Sequence, residues 1–262
     1  MLRVVTWNVN SISVRLERLL ALLKRWKPDV VMLQELKCTE DKFPFAAIQE
    51  AGYHCAVHGQ KTYNGVALIT KQPLKELDFG MSPFYADSAA RVIRGKLGEV
   101  TFICCYVPNG QEVGSEKFTY KLDWLRGLQE LLKEERKKNK ALILAGDFNI
   151  APEDRDVHDP NFWSGKILCS PPERQAFENI LKLGFQDSFR LHHKEAGIFS
   201  WWDYRALGFQ KNHGLRIDFI LASQEILKLC SSSLIDREER KGEKPSDHAP
   251  VIADFDLSIP ES

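Results

Sequence analysis

The sequence lacks the cysteine spacings of a metal knuckle or a dithiol redox motif. Its six cysteines (Cys38, Cys55, Cys104, Cys105, Cys169 and Cys230) include no C-x-x-C pair, which excludes the usual structural zinc sites. Reduced thiols in a cytoplasmic protein are the plain expectation, with Cys104 and Cys105 on opposite faces of one strand. Net charge is missing too. Lys and Arg total 36, as do Asp and Glu, so there is no bulk electrostatic footprint of a nucleic-acid binder, and local clusters must supply any such contact. The one conspicuous basic run, Arg136-Lys137-Lys138-Asn139-Lys140, closes a helix signal and reads as a solvated C-terminus favoured by the macrodipole. No apolar run approaches the roughly 20 residues that span a bilayer. No phosphate-cradling G-x-x-x-x-G-K-[ST] or G-x-G-x-x-G follows a strand. Linkers, repeats and low-complexity tracts are absent, so residues 1–262 are expected to form a single domain. The opening Leu2-Arg3-Val4-Val5-Thr6 already reads as a strand, which predicts that there is no signal peptide.

What is present is a series of short apolar runs. Strands are predicted over residues 3–9, 30–34, 65–70, 91–96, 100–107, 141–146, 216–222 and 250–257. Helical spacing marks residues 13–26 through Leu16, Leu19, Leu20 and Leu23, and residues 115–138 after a Ser115 cap. Ser170-Pro171-Pro172-Glu173 announces a third helix with a capping box and proline in the first turn, running through Phe177 and Leu181 to Gly184. Many strands with a few long helices among them predict layered sheets flanked by helices rather than a regular βαβ repeat.

Several runs end in polar residues that folding does not require. Val30 to Leu33 leads to Gln34-Glu35, Val4-Val5-Thr6-Trp7 to Asn8-Val9-Asn10, and 141–145 to Gly146-Asp147-Phe148-Asn149. Taken singly, Glu35 reads equally as a salt-bridge partner of Lys37, and Asp147 as a turn residue. Asp218 is harder to assign to packing, because a carboxylate inside the apolar Arg216-Ile217-Asp218-Phe219-Ile220 run needs a partner. His248, in Ser246-Asp247-His248-Ala249-Pro250, is the natural one. A carboxylate on one imidazole nitrogen would favour the charged ring and leave the other nitrogen for an anionic group. Carboxylates gathered at one rim repel by roughly 4 kcal/mol per pair at 4 Å and an effective dielectric of 20. A hard cation removes that repulsion, and oxygen ligands favour Mg²⁺ or Mn²⁺ over Zn²⁺. Such a set suits in-line attack of water on a phosphodiester.

Eight blocks in order give the sequence a family likeness: Thr6-Trp7-Asn8-Val9-Asn10, Leu33-Gln34-Glu35-Leu36-Lys37, Tyr63-Asn64-Gly65-Val66-Ala67, Tyr106-Val107-Pro108-Asn109-Gly110, Gly146-Asp147-Phe148-Asn149, Trp201-Trp202-Asp203-Tyr204-Arg205, Gly214-Leu215-Arg216-Ile217-Asp218 and Ser246-Asp247-His248-Ala249-Pro250. Over residues 2–256 the chain resembles the bacterial exonuclease III/abasic endonuclease branch of the endonuclease/exonuclease/phosphatase superfamily. The resemblance implies an α+β fold, a deoxyribonuclease I-like four-layer αββα sandwich of two mainly antiparallel sheets with the site at one end. It implies that Glu35 ligates Mg²⁺ or Mn²⁺ with Asn8 and Asn10 close by, and that Asp147 orients or deprotonates the attacking water or handles the leaving-group proton, with Asn149 helping to position it. His248, held by Asp218, would contact the phosphate, as would Tyr106 and Asn109. Asp147, Asn149, Asp247 and His248 complete the ligand candidates. Which aspartate is the base stays open at this point.

The same likeness makes double-stranded DNA the expected partner, at abasic sites, 3′ ends and nicks, with no membrane, in the cytoplasm and as a monomer. Trp201, Trp202 and Leu215 resemble an aromatic and aliphatic pocket for a base-less sugar, although two adjacent strand residues cannot both face inward. Lys37, Lys61, Tyr63, Asn64, Arg91, Tyr120 and Lys121 are candidates for DNA contact. Asn10 stands where some relatives carry Asp, which changes the charge at the metal site. Leu168, in the segment 163–170, is expected to tune internal cleavage at abasic sites against trimming of 3′ ends and 3′ phosphates. Competing readings are a same-fold phosphoesterase of lipid or inositol phosphates and a DNA-binding module without catalysis. The full set Glu35, Asp147, Asn149, Asp218 and His248 argues against the latter.

Overall fold

The computed structural model describes residues 1–259. In chain order its main elements are β1 (Leu2–Asn8), α1 (Ile12–Trp26), β2 (Val30–Gln34), α2 (Phe45–Glu50), β3 (His54–His58), β4 (Val66–Thr70), β5 (Lys75–Phe79), β6 (Val92–Leu97), β7 (Val100–Tyr106), α3 (Glu116–Lys138), β8 (Leu142–Asp147), α4 (Pro160–Trp163), α5 (Pro171–Leu181), β9 (Phe185–Asp187), α6 (Ser188–His192), β10 (Trp201–Trp202), β11 (Gly214–Leu215), β12 (Asp218–Ser223), α7 (Gln224–Leu227), β13 (Cys230–Ile235) and β14 (Val251–Phe255). They form two six-stranded sheets, ordered β13-β14-β1-β2-β4-β3 and β5-β6-β7-β8-β12-β9, with β10 and β11 as a separate two-stranded ladder. Only β1–β2 and β7–β8 run parallel; the other pairings are antiparallel.

The layers follow from strands that are apolar on both faces. Alternate residues of a strand point to opposite sides, so Val4, Val30, Leu68, Phe102, Cys104 and Ile143 meet between the sheets. Their neighbours Val5, Val31 and Ile69 pack outward with Leu19, Leu22 and Leu23 of α1. On the other side Ile103, Cys105 and Leu144 pack outward with Trp124, Leu128 and Leu132 of α3 and with Phe177 and Ile180 of α5. The result is the four-layer αββα order expected from the sequence. Cys104 and Cys105 fall in different layers, as alternation requires, and all six thiols are free.

The helix ends are set by local chemistry. The Ser115 hydroxyl accepts from the amide of Phe118, 3.1 Å away. Ser170 and Glu173 close the capping box that starts α5. No helix among the described residues is long and apolar enough to cross a membrane.

Candidate active site

Strand register assembles the polar residues. Asn8, at the end of β1, lies opposite Gln34, at the end of β2, so Glu35 emerges beside it and its carbonyl accepts the amide of Ser11 at 2.8 Å. In the second sheet Tyr106 lies opposite Asp147, and Asp147 opposite Asp218. The amide of Asn8 donates to Asp147 Oδ2 at 2.9 Å, joining the two sheets at this rim. The chain turns sharply here. Asn10, Glu35, Lys37 and Asn149 all have left-handed φ, between 44° and 55°, a costly conformation that clusters where surroundings hold side chains for function.

Asp147, His248 and Asp218 form a buried line. The His248 ring sets Nδ1 at 2.9 Å from Asp218 Oδ2, with Nε2 at 3.7 Å from Asp147 Oδ2. Asp218 is itself fixed by the hydroxyl of Ser200, which donates to Oδ2 at 2.6 Å and accepts the amides of Ile217 and Asp218. Burial alone would lower the pKa of His248, but Asp218, Asp147 and Asp247 outweigh it and lift the ring to about 10. The ring is therefore an imidazolium at neutral pH, offering a charged N–H rather than a lone pair. Burial pushes the Asp147 carboxyl up to about 7, with the charge of His248 opposing it. Asp147 Oδ1 also accepts the amide of Asn149 at 2.9 Å. Asn149 donates its side-chain amide to the Val107 carbonyl and accepts one from Asn109 at 3.2 Å.

On the other flank the phenol of Tyr106 donates to Glu35 Oε1 at 2.6 Å, and Lys37 Nζ lies 3.7 Å from Glu35 Oε2. Burial first, then the charges of Glu35 and Asp147, pushes the Tyr106 pKa well up, so the phenol keeps its proton. Lys37 also bonds to the Asn10 side chain. Asp247 accepts from Asn10 Nδ2 at 2.9 Å and Trp201 Nε1 at 3.0 Å. Although burial works against ionisation, His248 and these two donors hold its carboxyl below the usual range. Asp147, Asp218 and His248 bring one polar atom each within 4.8 Å of one another, but the protonated ring has no lone pair to give a cation, so carboxylate and amide oxygens are left as the ligands. Oxygen donors dominate the rim through Glu35, Asn8 and Asp147, the donor set of a hard divalent ion.

Two expectations need correction. Lys121 cannot reach a DNA phosphate: it is 0% exposed, and its ammonium bonds to Glu173 Oε1 at 2.5 Å and to the carbonyls of Asn149 and Asn109. A long basic side chain reads as surface in the sequence, and only tertiary packing places it inside. Trp202 does not line a pocket either. It is 1% exposed, donates to Asn212 Oδ1 and packs edge-on against Phe209, because alternation turns it away from its half-buried neighbour Trp201. Trp201 lies opposite the buried Leu215. Together with Trp163 it packs against a small cluster that contains Leu168 and Leu215.

Arg91 lies 4.8 Å from the Tyr106 ring centroid, Asn64 bonds to Gln60, and Tyr63 is 67% exposed at the edge. Sequence reasoning missed Ser200, because a serine before two tryptophans carries no signal of its role. It also missed Trp7, whose Nε1 donates to the His248 carbonyl at 3.1 Å.

Similar proteins point the same way. The chain is 37% identical to the exodeoxyribonuclease III of Haemophilus influenzae, covering 97% of this chain and 100% of that one. The Neisseria 3′ phosphatase NExo, solved bound to a product DNA hairpin, shares 45% identity with a TM-score of 0.96 over 98% of this chain and 100% of that one. An AP endonuclease from Archaeoglobus fulgidus shares 37% identity with a TM-score of 0.93 over the same fractions. The profile of the Endonuclease/Exonuclease/phosphatase family matches residues 5–248, a span that takes in Glu35, Asp147, Asp218 and His248, and the chain belongs to that family.

Proposed function

We propose that the protein is a divalent-metal-dependent DNA-repair phosphodiesterase of exonuclease III type. Its substrates are 3′ ends, 3′ phosphates, nicks and abasic sites in double-stranded DNA, and it works as a cytoplasmic monomer using Mg²⁺ or Mn²⁺. The observation that carries this reading is the buried Asp147–His248–Asp218 line, joined across the sheets to Asn8 and flanked by Glu35–Tyr106. Six free thiols agree with a reducing compartment.

In this reading Asp147 takes the proton of the attacking water. It is the carboxylate whose pKa stands near neutrality, whereas Asp218 is committed to His248 and Ser200. The imidazolium of His248 and the side-chain amides of Asn149 and Asn109 hold the phosphate oxygens and oppose the charge that grows on them, while the Tyr106 phenol orients Glu35. Glu35 and Asn8 would hold the ion, which supplies charge neutralisation at the phosphoryl group. Asp247 keeps Trp201 and Asn10 in place.

Leu168 bears on the balance of activities. It is 5% exposed, sits at φ 70° and packs in the cluster shared with Trp201 and Leu215. Its side chain occupies ground that a base-less sugar would need, which favours processing of 3′ ends and 3′ phosphates over internal abasic cleavage.

The test is a gel comparing an abasic duplex, a blunt duplex and a nick bearing a 3′ phosphate, with Mg²⁺, Mn²⁺ or chelator. Metal-dependent product from the 3′-phosphate nick is expected, with Asp147→Asn about 10²- to 10⁴-fold slower. No metal-dependent product on any of the three, or an Asp147→Asn variant at full rate, overturns the reading.

A further inference from the structure

Lys121 and Glu173 make an ion pair sealed from solvent on both sides, with Nζ 2.5 Å from Oε1. Lys121 belongs to α3 and Glu173 to the first turn of α5. Such a pair is no automatic source of stability, because desolvating two charges roughly cancels their attraction and apolar replacements are often as stable. Its other hydrogen bonds say what it does. The Lys121 ammonium donates to the main-chain oxygens of Asn149 at 2.6 Å and Asn109 at 3.0 Å. The Glu173 carboxylate accepts the amide of Leu168 at 3.0 Å and both the amide and hydroxyl of Ser170.

One pair of charges thus grips three segments that are separate in the sequence, at Asn109, at Asn149 and at Leu168–Ser170. Asn149 (φ 50°) and Leu168 (φ 70°) are both non-glycine residues in the left-handed region, and such residues persist only where neighbours over-determine the backbone. The intervening packing is equally tight. A Cβ on Gly110, next to Asn109, would stand 2.9 Å from Lys121 Cδ and 3.0 Å from Ile167 Cδ1.

We propose that Lys121 and Glu173 are a positioning pair that locks the amides of Asn109 and Asn149 to the Leu168 segment, so that one buried network sets both phosphate geometry and substrate choice. This rests on the roles given above to Asn149 and Leu168. Releasing either charge lets these three segments move, although neither side chain touches the reacting atoms.

Steady-state kinetics of Glu173→Gln, Lys121→Met and K121M/E173Q on the 3′-phosphate nick and the abasic duplex test it. Melting temperatures are measured alongside, and assays run well below them. Each variant should lose about 10-fold or more in kcat on the 3′-phosphate nick with KM changed by less than about 3-fold, as displacement of positioned groups predicts. The ratio of abasic to 3′-phosphate cleavage should rise by about 3-fold or more, and the double variant should match the singles rather than their product. K121M/E173Q leaves no lone charge buried and is the folded species on which the outcome is read if a single variant fails to fold. Variants that melt lower yet keep both kcat and the substrate ratio overturn the inference alone. A wild type that cuts neither duplex overturns the functional reading beneath it as well.

Discussion

At the scale of single residues, His248 is the side chain through which the chemistry and the stability of the site are linked. Its pKa stands above the ordinary 6.5, at about 10, because three carboxylates outweigh the burial that would lower it. The folded protein therefore binds this proton more tightly than the unfolded chain does. The stabilisation is complete below about pH 6.5 and is lost as pH rises through about 10. In chelator, the melting-temperature gap between wild type and His248→Asn should be widest at about pH 6 and narrow by several degrees toward pH 10. A gap that stays constant over that range would show that the ring is neutral. The polar strand ends were legible in the sequence because Glu35 and Asp147 close apolar runs, and Asp218 and His248 lie in or just before them, with no packing reason. Ser200 and the burial of Lys121 were not, since a small hydroxyl and a long amphipathic chain look alike in core and surface positions.

At the scale of elements, the legible strands and the illegible ones divide by position in the sheets. β3, β5, β9 and β13 have no counterpart among the predicted strands, and these four are the outermost strands of the two sheets. An edge strand is paired on one side only and carries polar, exposed residues, as in β5, where all five positions are exposed. Central strands are covered on both faces and read as unbroken apolar runs.

The joint between β7 and β8 is equally strict. Gly146 has φ 151°, and a Cβ there would stand 1.8 Å from the carbonyl oxygen of Cys105. Gly146→Ala should therefore destabilise the fold by more than about 3 kcal/mol, read from urea or thermal unfolding. A near-native midpoint would show that β7 can yield. The Leu168 segment behaves in the opposite sense. Glycine tolerates φ 70° without strain, and Leu168→Gly opens the space beside Trp201. The ratio of abasic-site cleavage to 3′-phosphate removal should rise by about 10-fold or more, within the range that a filled or emptied apolar subsite commands. An unchanged ratio rules out Leu168 as the determinant.

At the scale of the whole molecule, the balance of 36 basic and 36 acidic residues constrains how DNA is held. A neutral protein gains no long-range attraction from its total charge, so binding must come from the few cations near the rim, such as Lys37 and the exposed Lys61. Lys121, the basic residue that burial removes from that group, is already neutralised by Glu173. About three phosphate contacts give a slope near −2.7 in log affinity against log salt. Raising salt from about 50 to about 200 mM should then weaken binding of a nicked duplex by about 40-fold, measured by fluorescence anisotropy in chelator so that nothing is cleaved. Lys61→Ala should reduce the slope by about 1 while weakening all duplexes alike, because a phosphate contact carries no sequence information. A slope of about −8 would mean that DNA wraps far more of the surface than this rim, and the assignment of binding to these few side chains would fail.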